Sequence, residues 1–122
     1  VDWQFRPEGE LSSIFGKIIK REIPADIVYE DELCLAFRDV NPQAPTHVLI
    51  IPKQEMAKLA DAKAGDQALL GHLLLAANKV ARQLGVEDAF RLVVNNGAGA
   101  GQSVFHLHLH LLAGRPFHWP PG

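Results

Sequence analysis

Apolar and polar side chains alternate most strictly near the end of the chain. Over residues 104–112, three histidines are separated by single leucines, and this period of two predicts a strand. The leucines of such a strand face a core, while the three imidazoles share its opposite face. Shorter runs of apolar residues predict four more strands, over residues 27–29, 33–37, 47–51 and 90–94.

A different period predicts the helices. Apolar residues recur at intervals of three and four over residues 66–84, which is typical of a long amphipathic helix, and Gly85 suits its C-terminal end. A short helix over residues 14–20 follows Ser12 or Ser13, either of which can be its N-cap, and Pro24 stops it. Strands clustered between helices predict an α+β fold with a five-stranded, mainly antiparallel sheet.

The two ends of the chain have no regular period. Residues 1–12 mix charges with Pro7 and Gly9, and we expect a flexible N-terminal arm there. The closing residues 114–122 are too rich in proline for a helix or strand, so they form a tail. Since the chain has 122 residues and no repeat or linker, we predict one domain over residues 13–122.

The composition narrows the class of partner. Hydrophobic residues make up 48% of the chain, charged residues 21%, and the net charge is −2, which gives no electrostatic case for binding nucleic acid or a membrane. The single cysteine, Cys34, fits a reducing compartment, and no apolar run reaches the roughly 18 residues of a membrane span. We therefore expect a soluble cytoplasmic protein whose ligands are small molecules.

The histidines and the glycine-rich stretch before them are the strongest chemical signal. Imidazoles titrate near neutrality, and the glycines over residues 97–101 leave backbone N–H groups open to an anion, for which we expect a phosphate. The rival interpretation is a zinc site that His47 or Cys34 completes. Histidines on one face of a strand lie about 6.5–7 Å apart, so two reach one ion more easily than three. We expect no metal and no cofactor. His72, on the long helix, is expected to be structural, and His118 to lie at the surface.

At this point the chain resembles a known family. Residues 106–112 match the pattern His-φ-His-φ-His-φ-φ (φ apolar) of the histidine-triad superfamily. Residues 14–19, 22–25, 42–47, 51–53, 101–103 and 118–122 are similar to its Hint branch, in the same order. The resemblance implies a HIT-like fold and a homodimer in which the two sheets join. It also implies a purine nucleotide pocket that takes AMP, GMP and adenosine phosphoramidates.

The resemblance further implies an activity and the residues that perform it. The activity is hydrolysis of the P–N bond of purine nucleoside 5′-phosphoramidates, such as AMP joined to an amine or to lysine. His108 is the implied nucleophile, forming a nucleotidyl-histidine, and His47, His106, His110 and Ser103 complete the catalytic group. The implied nucleotide site adds Asn95, Gly101 and Gln102 around the phosphate, Asp39 at the ribose, and a base slot of Phe15, Ile18, Ile23, Val40 and Leu49.

Several alternatives stay open at this level. The protein is alternatively a dinucleoside polyphosphate hydrolase or nucleotidyl transferase, or a non-catalytic nucleotide-binding scaffold. Asp39 is alternatively a residue that caps its own turn. The tail, residues 115–122, is predicted to reach the active-site rim of a partner subunit, and the alternative is a tail folded over its own subunit.

Overall fold

The computed structural model describes residues 13–122, so the predicted arm over residues 1–12 lies outside it. Two α-helices and five strands form the frame. They are α1 (Ile14–Ile19), β1 (Ile27–Glu30), β2 (Cys34–Arg38), β3 (Thr46–Pro52), α2 (Gln67–Gln83), β4 (Phe90–Val93) and β5 (Leu109–Ala113). Short 3₁₀ turns over Leu59–Asp61, Ala64–Asp66 and Ala98–Ala100 join them.

The five strands form one sheet in the order β1-β2-β3-β5-β4, and every neighbouring pair is antiparallel. This confirms the predicted α+β fold with its antiparallel sheet, one long helix and one short helix. The last strand, β5, inserts between β3 and β4, so residues far apart in the chain become neighbours. Leu49 and Val93 both lie opposite His110, on its two sides.

The sheet has an apolar layer on each face because its side chains alternate. Along β3, Val48 and Ile50 pack with α2, whereas Leu49 and Ile51 pack on the opposite face with α1. Burying a side chain of this size contributes about 1.5–3 kcal/mol. The layer against α1 is the smaller of the two, and it leaves room for a cleft.

The histidine strand is shorter than predicted. A ladder over residues 104–112 was expected, but β5 starts at Leu109, where it pairs with Ile50. Farther along β3, Pro52 has no N–H to donate, and its carbonyl oxygen accepts a hydrogen bond from the His106 side chain instead of from a neighbouring strand. The amide of Leu107 instead donates to the carbonyl of Met56 at 2.7 Å. Alternation survives this change, since Leu107 still packs in the α2 core.

Both helices end near their predicted bounds. Ser13 is the N-cap of α1, and its hydroxyl oxygen accepts from the amide of Gly16 at 3.0 Å. Gly85 follows α2 with φ +73°, a left-handed conformation that glycine adopts without strain. Within residues 13–122, no helix has the length and apolar character needed to cross a bilayer.

Candidate active site

A cleft of about 480 Å³ opens on the α1 face of the sheet. Helix α1, the strands β2, β3 and β5, and the loop over residues 39–46 form its walls. The structure brings together there these predicted site residues: Phe15, Ile18, Ile23, Asp39, Val40, His47, Leu49, Ser103, His108 and His110. Val40 stands on the rim with its side chain 99% exposed, whereas Phe15, Ile18 and Leu49 are buried. The cleft is therefore apolar on one side and carries histidines on the other.

His108 lies in the cleft wall with one ring nitrogen fixed. Its Nδ1 is 2.7 Å from the carbonyl oxygen of His106, so Nδ1 carries the proton and donates. The other nitrogen, Nε2, then keeps its lone pair. Burial lowers the pKa of His108, although the His106 carbonyl and the Asp39 charge oppose the shift. The ring is therefore neutral near pH 7, which is the state a nucleophile needs.

His47 and His110 form a hydrogen-bonded pair whose direction is set by the backbone. The amide of Gln43 donates to His47 Nδ1 at 3.0 Å, so the His47 proton is on Nε2. That nitrogen lies 2.9 Å from His110 Nδ1 and 3.4 Å from Asp39 Oδ2. His110 Nδ1 therefore accepts, and its own proton is on Nε2. Burial, His108 and His47 together lower the pKa of His110 to about 4.

The lowered pKa of His110 determines its protonation state. Near pH 7 the ring is a neutral N–H donor. The pKa is lowered because neighbouring side chains exclude water from the ring, which disfavours its charged form. A positive charge on the ring is also disfavoured by the nearby imidazoles of His108 and His47. A bound phosphate would supply the negative charge that favours protonation.

His106 lies behind the cleft and not in its wall. Its side chain is 1% exposed, and its Nε2 donates to the carbonyl of Pro52 at 2.8 Å. Its Nδ1 accepts from the Ser13 hydroxyl at 3.1 Å. His106 thus joins the N-cap of α1 to the histidine segment, and α1 carries Phe15 and Ile18 of the slot. Ser13 was predicted as a cap only, because contact with a residue 93 positions away leaves no local pattern.

The glycine-rich stretch is folded by one buried amide. Gln102 Oε1 accepts from the amide of Gly97 at 2.8 Å, and its Nε2 donates to the carbonyls of Ala57 and Val104 at 2.7 and 3.0 Å. The structure therefore places Gln102 under the loop instead of in the cleft wall, and Asn95 and Gly101 also lie outside that wall. Ser103, the next residue, is exposed and lines the cleft.

Asp39 caps its own turn and also lines the cleft. Its Oδ1 accepts from the amide of Asn41 at 2.8 Å, which is the turn-capping role. Its side chain also lines the cleft, where Oδ2 faces His47. A carboxylate held in this way has acceptor capacity left for hydroxyl groups.

In the part of the chain that the structure describes, two groups of side chains have the composition of a metal site. Asp39, His47 and His110 bring ligand atoms within 4.8 Å of one another, as do Asp31, Cys34 and His72. In the second group, Asp31 accepts at 2.7 Å from both Tyr29 and His72, which ties the β1–β2 turn to α2.

Cys34 cannot complete a set with the triad histidines. It lies at 0% exposure in the core against α2, on the opposite face of the sheet from the cleft. Burial raises the pKa of its thiol to about 12. His72 has a structural contact, as expected for it.

An open antiparallel sheet with imidazoles on its α1 face defines the class to which this protein belongs. The HIT domain matches residues 20–117, and the chain belongs to the HIT domain family. An uncharacterised HIT-like protein of Synechocystis is 69% identical over 110 residues, which cover 90% of this chain and 96% of the relative. A 14 kDa zinc-binding protein of Zea mays is 56% identical over 112 residues, 90% of this chain and 88% of the relative.

Solved structures agree with this assignment. A HIT family hydrolase from Legionella pneumophila has a TM-score of 0.87 and 51% identity, over 89% of this chain and 98% of that one. A histidine triad nucleotide-binding protein from Candida albicans has a TM-score of 0.77 and 34% identity, over 89% of this chain and 83% of that one. The protein is therefore similar to HIT family hydrolases in both sequence and fold.

Proposed function

We propose that the protein hydrolyses the P–N bond of purine nucleoside 5′-phosphoramidates, with AMP bonded to an amine or to lysine as the substrate class. The observation that carries the proposal is the hydrogen-bond pattern around two neighbouring rings, from which the positions of their protons follow. His108 presents a lone pair at Nε2, and His110, with its ring centroid 4.9 Å away, presents an N–H. The similar Legionella structure is described as a hydrolase, and the similar Candida structure is described as a nucleotide-binding protein.

The first half of the reaction transfers the nucleotidyl group to His108. Its Nε2 forms a bond to phosphorus while the bond from phosphorus to the amine breaks. The departing nitrogen takes a proton from the Ser103 hydroxyl or His110 Nε2. Such proton transfer typically accelerates a reaction about 10²–10⁴-fold. The product is a nucleotidyl-histidine whose Nδ1–H still donates to the His106 carbonyl.

The second half returns His108 to its starting state. A water molecule gives a proton to the group that protonated the amine, and its oxygen bonds to phosphorus. The bond from phosphorus to His108 Nε2 then breaks, and AMP is released. The non-bridging oxygens gain charge in both halves, and His110 Nε2–H, Ser103 and the backbone amides of the loop are suitable donors.

The apolar side of the cleft suits the nucleoside. Phe15, Ile18 and Leu49 offer a flat, water-poor surface for a purine, and Asp39 offers oxygens to the ribose hydroxyls. Among the cleft-wall residues within 13–122, Arg38 is the single lysine or arginine, and it lies 3.5 Å from Asp26. A polyphosphate chain would find little positive charge there, which favours a phosphoramidate over a dinucleoside polyphosphate.

The dimer belongs to the same proposal. Two exposed leucines of α2, Leu74 and Leu75, and the edge strand β4 form a surface that a second copy could cover. A sheet continued across such an interface would also protect the open edge of β4.

Steady-state kinetics with adenosine phosphoramidate and diadenosine tetraphosphate tests the proposal. We expect a larger kcat/KM for the phosphoramidate, undiminished by a chelator, because hydrogen bonds within the protein already orient the histidines. The reverse preference would assign the protein to the polyphosphate hydrolases. Activity that a chelator abolishes and zinc restores would favour the metal interpretation. Absence of turnover on both substrates, with AMP still bound, would favour the scaffold.

A further inference from the structure

The C-terminal tail contacts the active-site loop through one side chain. The guanidinium of Arg115 donates from Nε to the carbonyl oxygen of Gln43 at 3.0 Å. The two residues are 72 positions apart, so this contact closes the tail onto the loop over residues 39–46. Gln43 is also the residue whose amide donates to His47 Nδ1. The tail and the histidine pair therefore meet at the backbone of a single residue.

The Arg115 side chain is held in place by its surroundings. Its Nη1 donates to the carbonyl of Pro116 at 3.0 Å, and its guanidinium lies 4.4 Å from the centre of the Phe117 ring. Arg91 contacts the same ring at 5.2 Å and donates to the carbonyl of His118 at 3.0 Å. The contacts with Pro116 and Phe117 thus orient the guanidinium of Arg115 toward Gln43.

The backbone brings the two segments close as well. Gly114, just before Arg115, has φ +97°, and a Cβ at this position would lie 2.9 Å from Pro45 Cβ. Only glycine permits this approach without displacement of Pro45. Ala113 pairs with Thr46 at the end of β5, so the tail leaves the sheet directly beside the loop.

We propose that Arg115 is a positioning residue that fixes the tautomer of His47 through the backbone of Gln43. With the Gln43 carbonyl bound by Arg115, the Gln43 amide stays directed at His47 Nδ1, and the His47 proton stays on Nε2. His47 then donates to His110 Nδ1, and His110 keeps an N–H at Nε2 for the phosphate or the leaving group. This rests on the proposed function for its catalytic consequence, but the tautomer itself is a property of the free protein.

Without Arg115, we expect the hydrogen bond between His47 and His110 to run in the opposite direction in a fraction of the protein molecules. Without a bound carbonyl, Gln43 turns away from His47 more often, and His47 can carry its proton on Nδ1 instead. His47 Nε2 then accepts from His110 Nδ1, and His110 Nε2 presents a lone pair to the phosphate. A lone pair repels the oxygens that an N–H would stabilise, so the affected molecules do not turn over.

The test compares Arg115→Ala with Arg91→Ala. Both variants remove one guanidinium from the Phe117 ring, but only Arg115→Ala removes the contact with Gln43. Two-bond proton–nitrogen correlation spectra of isotope-labelled protein show which nitrogen of each imidazole carries the proton. We expect a protonated Nε2 on His47 in the unaltered protein and in Arg91→Ala, and a mixture of both tautomers in Arg115→Ala.

Kinetics provides the second readout. We expect kcat to fall roughly 3- to 10-fold in Arg115→Ala, the population change that one lost hydrogen bond produces, with KM within about twofold. The kcat of Arg115→Lys, which keeps a donor at this position, should lie between those of Arg115→Ala and the unaltered protein. A single unchanged His47 tautomer in Arg115→Ala, or equal effects of both alanine variants, would overturn the inference. If the protein turns over no phosphoramidate, the spectra still decide the tautomer question, while the proposed function fails on its own.

Discussion

At the scale of single residues, the histidines differ in role because their hydrogen-bond partners differ. His106 and His108 are two positions apart, and both donate a ring N–H to a backbone carbonyl. The second ring nitrogen of His106 accepts a hydrogen bond from the Ser13 hydroxyl, whereas the second ring nitrogen of His108 keeps its lone pair available. A carbonyl can only accept, so it fixes which nitrogen carries the proton. The backbone thereby separates a supporting histidine from a candidate nucleophile.

Replacing His108 with alanine tests the nucleophile. The His108→Ala variant should bind AMP with an affinity within a few-fold of the unaltered protein, because the slot and Asp39 are intact. Its turnover should fall on the order of 10³-fold or more, since the variant lacks the ring nitrogen that is proposed to form the covalent intermediate. Mass spectrometry of acid-quenched reactions should find an adenylate on His108 of the unaltered protein. His72→Ala, on the other face of the sheet, is the control, and turnover in His108→Ala equal to that control would contradict the mechanism.

Asp39→Asn tests the ribose contact while it preserves the turn. Asparagine keeps the side-chain oxygen that accepts from the Asn41 amide, so the loop should hold its shape. It loses the charge that strengthens bonds to the two ribose hydroxyls, and KM for a ribonucleotide substrate should rise about 10-fold. For the 2′-deoxy substrate the increase should be much smaller. Equal increases for both substrates would show that Asp39 supports the loop and does not contact ribose.

At the scale of elements, β3, β5 and the segment that leads into β5 hold neutral histidines in a layer that contains little water. Burial is the largest cause that lowers the pKa values of His47, His106, His108 and His110 in the folded protein. A histidine in the unfolded chain therefore binds a proton at a higher pH than the same residue in the sheet. Folding stability becomes dependent on pH in the interval between the two pKa values.

The resulting pH dependence has a definite sign. Stability should be steady above about pH 6.5 and should decrease as pH falls toward 4, where even His110 is half protonated when folded. Urea unfolding at several pH values between 7 and 4 measures the slope. His110→Asn removes one of the groups responsible, so its slope should be shallower than that of the unaltered protein. A stability that rises as pH falls through this interval would contradict the neutral state of the histidines.

Element patterns also show how far sequence alone reaches. The period of two correctly predicted that the leucines face a core and the histidines face away from it, because burial of one face depends on local alternation. The predicted strand was wrong over residues 104–108, because the point at which pairing between β5 and β3 ends depends on Pro52, a residue of the other strand. The contacts of Gln43 and Arg115 could not be predicted, because a backbone amide and carbonyl have no residue-specific signature. Likewise, no pattern in the chain indicates which ring nitrogen carries a proton.

At the scale of the whole molecule, the exposed surface of α2 is the candidate dimer interface. Leu75 is 63% exposed and Leu74 is 52% exposed, although both lie on a helix that otherwise packs against the sheet. Trp119 in the tail is 83% exposed, so it too has apolar surface that a partner could bury. The tail is anchored to its own subunit by Arg91 and Arg115, yet its end remains free for the predicted contact with a partner.

Leu75→Glu tests the interface. A charge placed in an apolar contact between two copies must be desolvated. This variant should therefore sediment as a monomer at micromolar concentration, whereas we expect the unaltered protein to sediment as a dimer. The control is Leu33→Glu, which adds the same charge at a leucine that is 47% exposed on the turn between β1 and β2. A monomeric unaltered protein, or a dimer that Leu75→Glu leaves intact, would rule out this interface.

The placement of β5 between two strands has a consequence for motion. The backbone of His110 is paired with β3 on one side and β4 on the other, so its amide can exchange with solvent only when the whole sheet opens. Ser103, Asp39 and the tail lie on loops, which open with far smaller free energies. The His110 imidazole is thus carried by a strand that is paired on both sides, whereas Asp39 and Ser103, to which the proposed function assigns the ribose and the leaving amine, lie on loops that can adjust. Changes of substrate preference can therefore arise in the loops without disturbing the histidines, and a single reaction chemistry can serve many leaving groups.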